Sequence, residues 1–377
     1  MLQASAELVD RARAASAPSP CKGEGRGGGL MRRGLMEWNA QELPVGTLDA
    51  RIARLRAAMM KQGLDAFILY TNNVRPAAVT WLTGFVPYWS EGLLLVPRDG
   101  RLVFATALSN RVADWIRANN PVSEVTSTPK PGALLGERLA KDGVKRAGIL
   151  EWDALPSALA DELAAAAPSV VCGDGTGLFA ELRRTVDDDE RRLIARADAI
   201  AAAALDPSVH GGARDAGTLA GLVEQHARLA GAEEAYIAVA HDLAKDRRLV
   251  RTSQPLPLGE RFAVRASVAY KGSWVRRVRT FAPDAAQADA WLADAARALE
   301  PGKPFGAQLA AHVARLADAS LTSWMAESCT GSYPLSPIAS PRSPDKAAPV
   351  DGGFCVLTVE LMLGGAPWLG AAPVILG

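Results

Sequence analysis

The sequence predicts an α+β chain of two domains, and three observations carry that expectation. Its length of 377 residues suits two domains at roughly 100–200 residues each. Its composition, 49% hydrophobic and 22% charged, supplies apolar surface for a core and lies far from the polar, highly charged regime of disorder. Short apolar runs alternate with helix-period segments in the first half and gather into a strand-rich block in the second.

The first structured element is expected near Leu48, where Ile52, Leu55 and Met59 recur at helical spacing among Arg51, Arg54, Arg56 and Lys61. Gly63 is placed to cap that helix. The run Ala66 to Tyr70 reads as a buried strand. Leu93 to Val96 and Leu102 to Ala105 read as two more, joined through Arg98-Asp99-Gly100, since Asp-Gly favours the positive φ of a tight hairpin. Val112 to Ala118 is a helix, Arg146 to Leu150 a strand and Leu155 to Ala166 a helix. This alternation makes an α/β domain of about Leu48 to Gly175. The second half opens with a helix from Asp187 to about Ala204, acidic in its first turn as the helix dipole favours. Another follows from Ala216 to Leu229. Strands are expected at Ala235 to Ala240, Arg261 to Tyr270 and Trp274 to Phe281, with Gly272 at the last turn. Helices at Ala285 to Ala298 and Phe305 to Ala317 precede strands at Phe354 to Leu363 and Ala372 to Leu376. Ser340 to Pro349, rich in proline and charge, reads as an exposed loop.

A net charge of +1, from 42 basic and 41 acidic residues, gives no general attraction to nucleic acid or to an anionic membrane. No apolar run reaches the ~20 residues of a membrane span. The cysteines Cys21, Cys172, Cys329 and Cys355 form no CxxC pair and suit a reducing compartment. The glycine-rich start lacks the apolar core of a signal peptide. Residues 1–47 are therefore expected to be a disordered extension, with Met31 or Met36 as the true start, and the location is expected to be cytoplasmic.

Four segments in order resemble the pita-bread family of Xaa-Pro aminopeptidase, prolidase and creatinase. They are Arg51 to Phe85, with its Gly-Leu-Asp-Ala and Leu-Thr-Gly-Phe; Glu181 to Leu205; Leu258 to Phe281, ending Arg-Thr-Phe; and Val350 to Leu361, with Thr-Val-Glu. The resemblance implies a creatinase-like N-terminal α/β domain over 48–178 and a C-terminal pita-bread domain over 179–377, commonly as a homodimer. It also implies a dinuclear metal centre of two Asp, one His and two Glu, a set suited to Mn, Co or Zn. Here the Asp positions fall on Arg265 and Arg276, the His position near Thr330 and the last Glu near Gly370. Glu360 alone matches. Arginine stays protonated and cannot ligate a cation, so neither metal nor cofactor is expected. The histidine on which metal-free creatinase relies falls near Arg247 or Arg248, so that solution is not copied either.

Glu360 sits in an apolar strand run, where an ionised carboxylate is costly unless paired. An ion pair with Arg265 or Arg276 is expected. Period-two alternation puts Arg265 on the strand face opposite Val264 and Ala266, and Arg276 on the face of Trp274 and Val278. Together they form a basic pocket for a carboxylate or phosphate. His241 and Asp242 are a candidate acid/base pair, and Glu360 and His241 are the candidate catalytic residues. Arg75 lies on an N-terminal-domain loop that in relatives reaches a neighbouring subunit's cavity, and is a candidate ligand contact. The main expectation is a metal-free pseudopeptidase that binds a small molecule. A creatinase-like hydrolase of a small C–N-bonded substrate and a working Xaa-Pro peptidase are the alternatives. No nucleic-acid or membrane partner is expected.

Overall fold

The computed structural model describes residues 36–87, 91–342 and 351–377. Helix α1, Val45–Lys61, buries Leu48, Ile52, Leu55 and Met59 and gives way to Gly63 at φ 67°. The elements that follow are β1 (Ala66–Thr71), α2 (Ala77–Thr83), β2 (Gly92–Pro97), β3 (Leu102–Thr106), α3 (Asn110–Asn119), β4 (Ser123–Ser127), α4 (Pro131–Lys141), β5 (Arg146–Ile149), α5 (Ser157–Ala166), β6 (Val171–Asp174) and α6 (Thr176–Leu182). The six strands form one sheet in the order β4-β3-β2-β1-β5-β6. Helices on both faces explain the unbroken apolar run of β1. Phe67 and Leu69 meet α1, α2 and α6, while Ile68 and Tyr70 meet α4 and α5.

The second half comprises α7 (Asp188–Ala204), α8 (Ala216–Leu229), β7 (Glu234–Ala240), β8 (Phe262–Tyr270), β9 (Ser273–Phe281), α9 (Ala285–Ala298), α10 (Phe305–Val313), β10 (Ala319–Ser328), β11 (Ser336–Ala339), β12 (Phe354–Leu363) and β13 (Ala366–Ile375). Its seven strands run in the order β11-β10-β12-β13-β9-β8-β7. Val264, Ala266 and Val268 of β8 meet Ala197, Ile200 and Val223 of α7 and α8. Leu357, Val359, Leu361 and Trp368 meet α9 and α10.

A buried ion-pair node joins the two halves. Arg183 donates to both oxygens of Glu190 at 2.9 and 2.7 Å, and Trp81 Nε1 donates to Glu190 at 3.1 Å. Arg51 forks onto Asp187, the N-cap of α7, at 2.7 and 2.9 Å. A third link comes from Ala77, whose N–H donates to the Ser332 carbonyl at 3.0 Å.

Two expectations change. Residues 36–47 are part of the fold, not of an extension. Met36 and Leu43 are buried, and Trp38 Nε1 donates to the Leu43 carbonyl at 3.0 Å. The Trp38 ring covers Gly84, where a Cβ would lie only 2.8 Å from it. Residues 1–35, with Cys21 and Met31, lie outside the described residues, as does most of the Ser340–Pro349 loop. The second change is β13, which begins six residues earlier than expected and pairs with β12 along its whole length.

Candidate functional site

The ladders of the seven-stranded sheet decide which side chains meet, because directly opposed residues share a face. Arg265 lies opposite Val278, and Ser267 opposite Arg276. Val278 in turn opposes Ala371, and Ala371 opposes Thr358. Glu360 lies opposite Leu369 and Ser323, and Val356 opposite Glu327. Arg265, Ser267, Arg276, Thr358, Glu360 and Glu327 therefore share one face. The alternate residue Arg277 points the other way, onto Asp198 of α7 at 2.8 Å.

The carboxylate that meets these arginines is Glu327. Arg276 Nη1 pairs with it, and Arg276 Nε donates to Ser267 Oγ at 3.2 Å. Glu327 is 5% exposed. Burial pushes its carboxyl above the usual range, with Arg276 and then Arg265 pulling against that shift. Burial also disfavours the charge on Arg265, repulsion from Arg276 adds to this, and Glu327 opposes it. Arg265 Nε and Thr358 Oγ1 are both buried without a hydrogen-bond partner among the described residues.

The expected ion pair of Glu360 with Arg265 or Arg276 is not formed. Glu360 makes no ion pair among the described residues, and register gives the reason. It lies four residues beyond Val356, the residue opposite Glu327, or about 13 Å along the strand at roughly 3.3 Å per residue. The sequence did hold a signal for Glu327. Ser323, Met325 and Glu327 alternate with the buried Trp324 and Ala326, which sets the acid on the face that α10 does not cover.

Gly370, aligned with the last family glutamate, opposes Val359 and so faces α9. A Cβ there would overlap the Trp368 ring and lie 2.9 Å from Leu292. Its neighbours on the arginine face are Leu369 and Ala371. The segment expected to replace the metal histidine is held instead by the N-terminal half. Glu151 accepts from the Ser332 N–H at 2.8 Å and from its hydroxyl. Arg75 pairs with the same Glu151 at 2.5 Å and lies over the Tyr333 ring at 4.4 Å. Arg75 thus contacts its own chain at this junction.

His241 lies past the end of β7, in a cleft of ≈ 290 Å³ that it shares with Arg248, Arg251, Thr252 and Gln254. Its Nδ1 is 3.0 Å from the Pro257 carbonyl. Asp242 turns to Lys245 at 2.7 Å, and no hydrogen bond joins it to His241. The structure sets Arg265, Arg276 and Glu360 on one sheet face, with Glu360 out of reach of the arginines. His241 lies in the neighbouring cleft, whose Arg251 repels Arg265, and Arg75 lies at the junction of the two halves.

Comparison with known proteins fits this architecture. Residues 51–185 match the Creatinase/Prolidase N-terminal domain family. No curated protein sequence matches the chain significantly. Among solved structures, the Xaa-Pro dipeptidase from Bacillus anthracis is similar at TM-score 0.64 and 16% identity, covering 88% of this chain and 95% of that one. The X-Pro aminopeptidase from Thermotoga maritima MSB8 gives TM-score 0.67 at 14% identity, with 86% and 94% covered. The N-terminal domain of FACT complex subunit SPT16 from Cicer arietinum (chickpea) gives 0.60 at 14% identity, with 88% and 94% covered. The chain thus carries a creatinase/prolidase N-terminal domain and has the two-domain pita-bread fold of these peptidases.

The dinuclear metal centre expected with that fold does not suit the residues present. Both aligned Asp positions hold guanidinium groups, Gly370 faces away, and Ser332 is bound to Glu151. Among the described residues, no group of three or more His, Cys, Asp or Glu is arranged to hold an ion.

Proposed function

We propose that this pita-bread chain is a pseudopeptidase that binds a small carboxylate on the Arg265–Arg276 face without a metal. One observation carries the reading: Arg276 takes the one nearby carboxylate, Glu327, and the neighbouring Arg265 is left without an ion pair, its Nε buried with no acceptor. Arg265, Arg276 and Glu327 together hold one more positive than negative charge. A half-buried guanidinium without an ion pair is unfavourable, and a ligand carboxylate would pair with its open Nη groups in fork geometry.

A thermal-shift screen of small carboxylates and guanidino compounds tests this, with metal analysis after dialysis against Mn²⁺ or Co²⁺. The expected result is stabilisation by carboxylates that Arg265→Gln abolishes, with no stoichiometric metal. Two ions per chain together with cleavage of Xaa-Pro dipeptides would overturn the reading.

A second reading, a hydrolase of a small C–N-bonded substrate, draws on His241. A carbonyl can only accept, so Nδ1 carries a proton, and in the neutral ring Nε2 is free to act as a base. Turnover lost in His241→Ala or Glu360→Gln would favour this reading. We also propose a cytoplasmic homodimer by analogy with the fold, to be tested by light scattering. Among the described residues, no helix is long and apolar enough to cross a membrane.

A further inference from the structure

The cleft beside β7 is built, not incidental. The chain after His241 returns along the free edge of β7, where Val239 and Val250 exchange both backbone hydrogen bonds at 2.9 and 3.2 Å. Gly259 N–H closes the loop onto the His241 carbonyl at 2.8 Å. The cleft is open to solvent, and its volume, ≈ 290 Å³, lies just below the range for small-molecule sites, about 300–1,000 Å³.

The charges in the cleft are unequal. Arg248 is neutralised by Asp246 through a fork of 2.8 and 3.0 Å. Arg251 has no hydrogen bond or ion pair among the described residues. Its guanidinium stacks 4.7 Å over Tyr236, which itself stacks on Trp274 at 5.4 Å. Such stacking fixes the plane of the fork while leaving its N–H donors uncommitted. His241 contributes a different group. Its Nδ1 proton goes to the Pro257 carbonyl, so Nε2 of the neutral ring accepts. Val239, Val250 and Leu256 line the same cleft, and Val250 is 50% exposed.

A matching ligand has one carboxylate for Arg251, an N–H for His241 and a short aliphatic body for the valines and leucine. Among the residues lining the cleft, Arg248 is already paired, so a phosphate dianion would meet Arg251 as its one free cation there. A free amino acid would bring an ammonium into a cleft whose one uncompensated charge is positive. We propose that this cleft binds small N-acylated aliphatic amino acids. It adjoins the arginine face, since Arg251 and Arg265 repel one another, and the paired Arg251→Gln and Arg265→Gln variants tell the two sites apart.

Calorimetric titration of the full chain at neutral pH would use N-acetyl-L-leucine, its carboxamide and 4-methylpentanoate. The acid is expected to bind one per chain. The carboxamide should bind at least tenfold more weakly, having lost the group for Arg251. 4-Methylpentanoate should be several-fold weaker, having lost the N–H. Arg251→Gln should cost at least tenfold, and Arg251→Lys, which keeps charge without the fork, an intermediate amount. His241→Ala should bring the acetylated and plain acids to equal affinity. Melting curves of the variants would confirm that they fold. Equal affinity for acid and carboxamide, or no binding of N-acetyl-L-leucine, would overturn the proposal. So would loss of binding in Arg265→Gln with Arg251→Gln unaffected, which would move the ligand to the other face.

Discussion

Truncating Glu327 is the most direct probe of the arginine face. Its side chain is 6% exposed and that of Arg276 is 17% exposed. Glu327→Ala leaves Arg276 without its acceptor and Arg265 without the one nearby negative charge. Removing one partner of a buried pair costs about 3–5 kcal/mol. Arg276 keeps some access to water, so the lower end, ~3 kcal/mol, is expected. Glu327→Gln keeps an oxygen that accepts from Arg276 and should cost ~1 kcal/mol. The two variants separate a missing acceptor from a missing charge. pH gives a second readout. Burial raises the folded-state pKa of Glu327 above its unfolded value, despite the arginines. Between those two pKa values the folded state binds more protons, so this group makes stability fall as pH rises. Below the unfolded value, near 4.5, its contribution is flat. The stability of Glu327→Gln relative to the natural protein should therefore improve as pH rises from about 4.5. Urea unfolding followed by tryptophan fluorescence from pH 4 to 8 would measure both effects. An alanine variant no less stable than the glutamine variant, or a relative stability that moves the opposite way with pH, would refute the reasoning.

Three further outcomes are expected. Glu190→Ala should cost about 3–5 kcal/mol and loosen the junction of the two halves, read as faster proteolysis, because Arg183 is buried against it. Gly331→Ala should destabilise by roughly 1–3 kcal/mol, since its Cβ would overlap Glu151 Oε1, which is held by Ser332. Combining it with Glu151→Ala should give less than the sum of the two single effects in thermal melts. Gly370→Glu should fail to create a metal site and should lower stability, because position 370 points at Trp368 and Leu292. Ala371→Glu, on the arginine face, should be tolerated better, and equal melting temperatures would contradict the assigned register.

The fold was legible where the physics was local. The Leu48–Met59 spacing, the AFILY run and the Asp-Gly turn each specify an element through periodicity or φ preference. The elements hardest to see were β10 and β4, whose polar residues dilute the alternation, and α4, whose start is a proline at its first helical position. At the site, strand parity set Arg265 away from Val264 and Ala266 and Arg276 beside Trp274 and Val278 within their own strands; that these faces and that of Glu360 would meet came from the family resemblance. What parity could not supply was the stagger between strands distant in sequence. Glu327 meets Arg276 across 51 residues, and only the β10/β12 register shows that it, rather than Glu360, lies within reach. The same limit applied to Gly370, where a shift of one residue decides which face a side chain takes.

Register also explains how this sheet tolerates arginines at positions where its relatives are expected to hold carboxylates. Two opposed guanidinium groups on neighbouring strands would repel across a partly buried face. Here Ser267 lies directly opposite Arg276 and takes its Nε, and Glu327 takes its Nη1, so Arg276 is held to one side. Arg265 sits one row away, opposite an apolar valine, and keeps an unmet donor. A stability requirement alone would be met by an apolar residue at 265, because half-burying an unpaired arginine costs more than half-burying a hydrocarbon of similar size. Arg265 is only half-buried and its Nε is sealed from solvent, so an anion would meet the open ends of its guanidinium. That unpaired group, more than the paired Arg276, is what favours a bound anion.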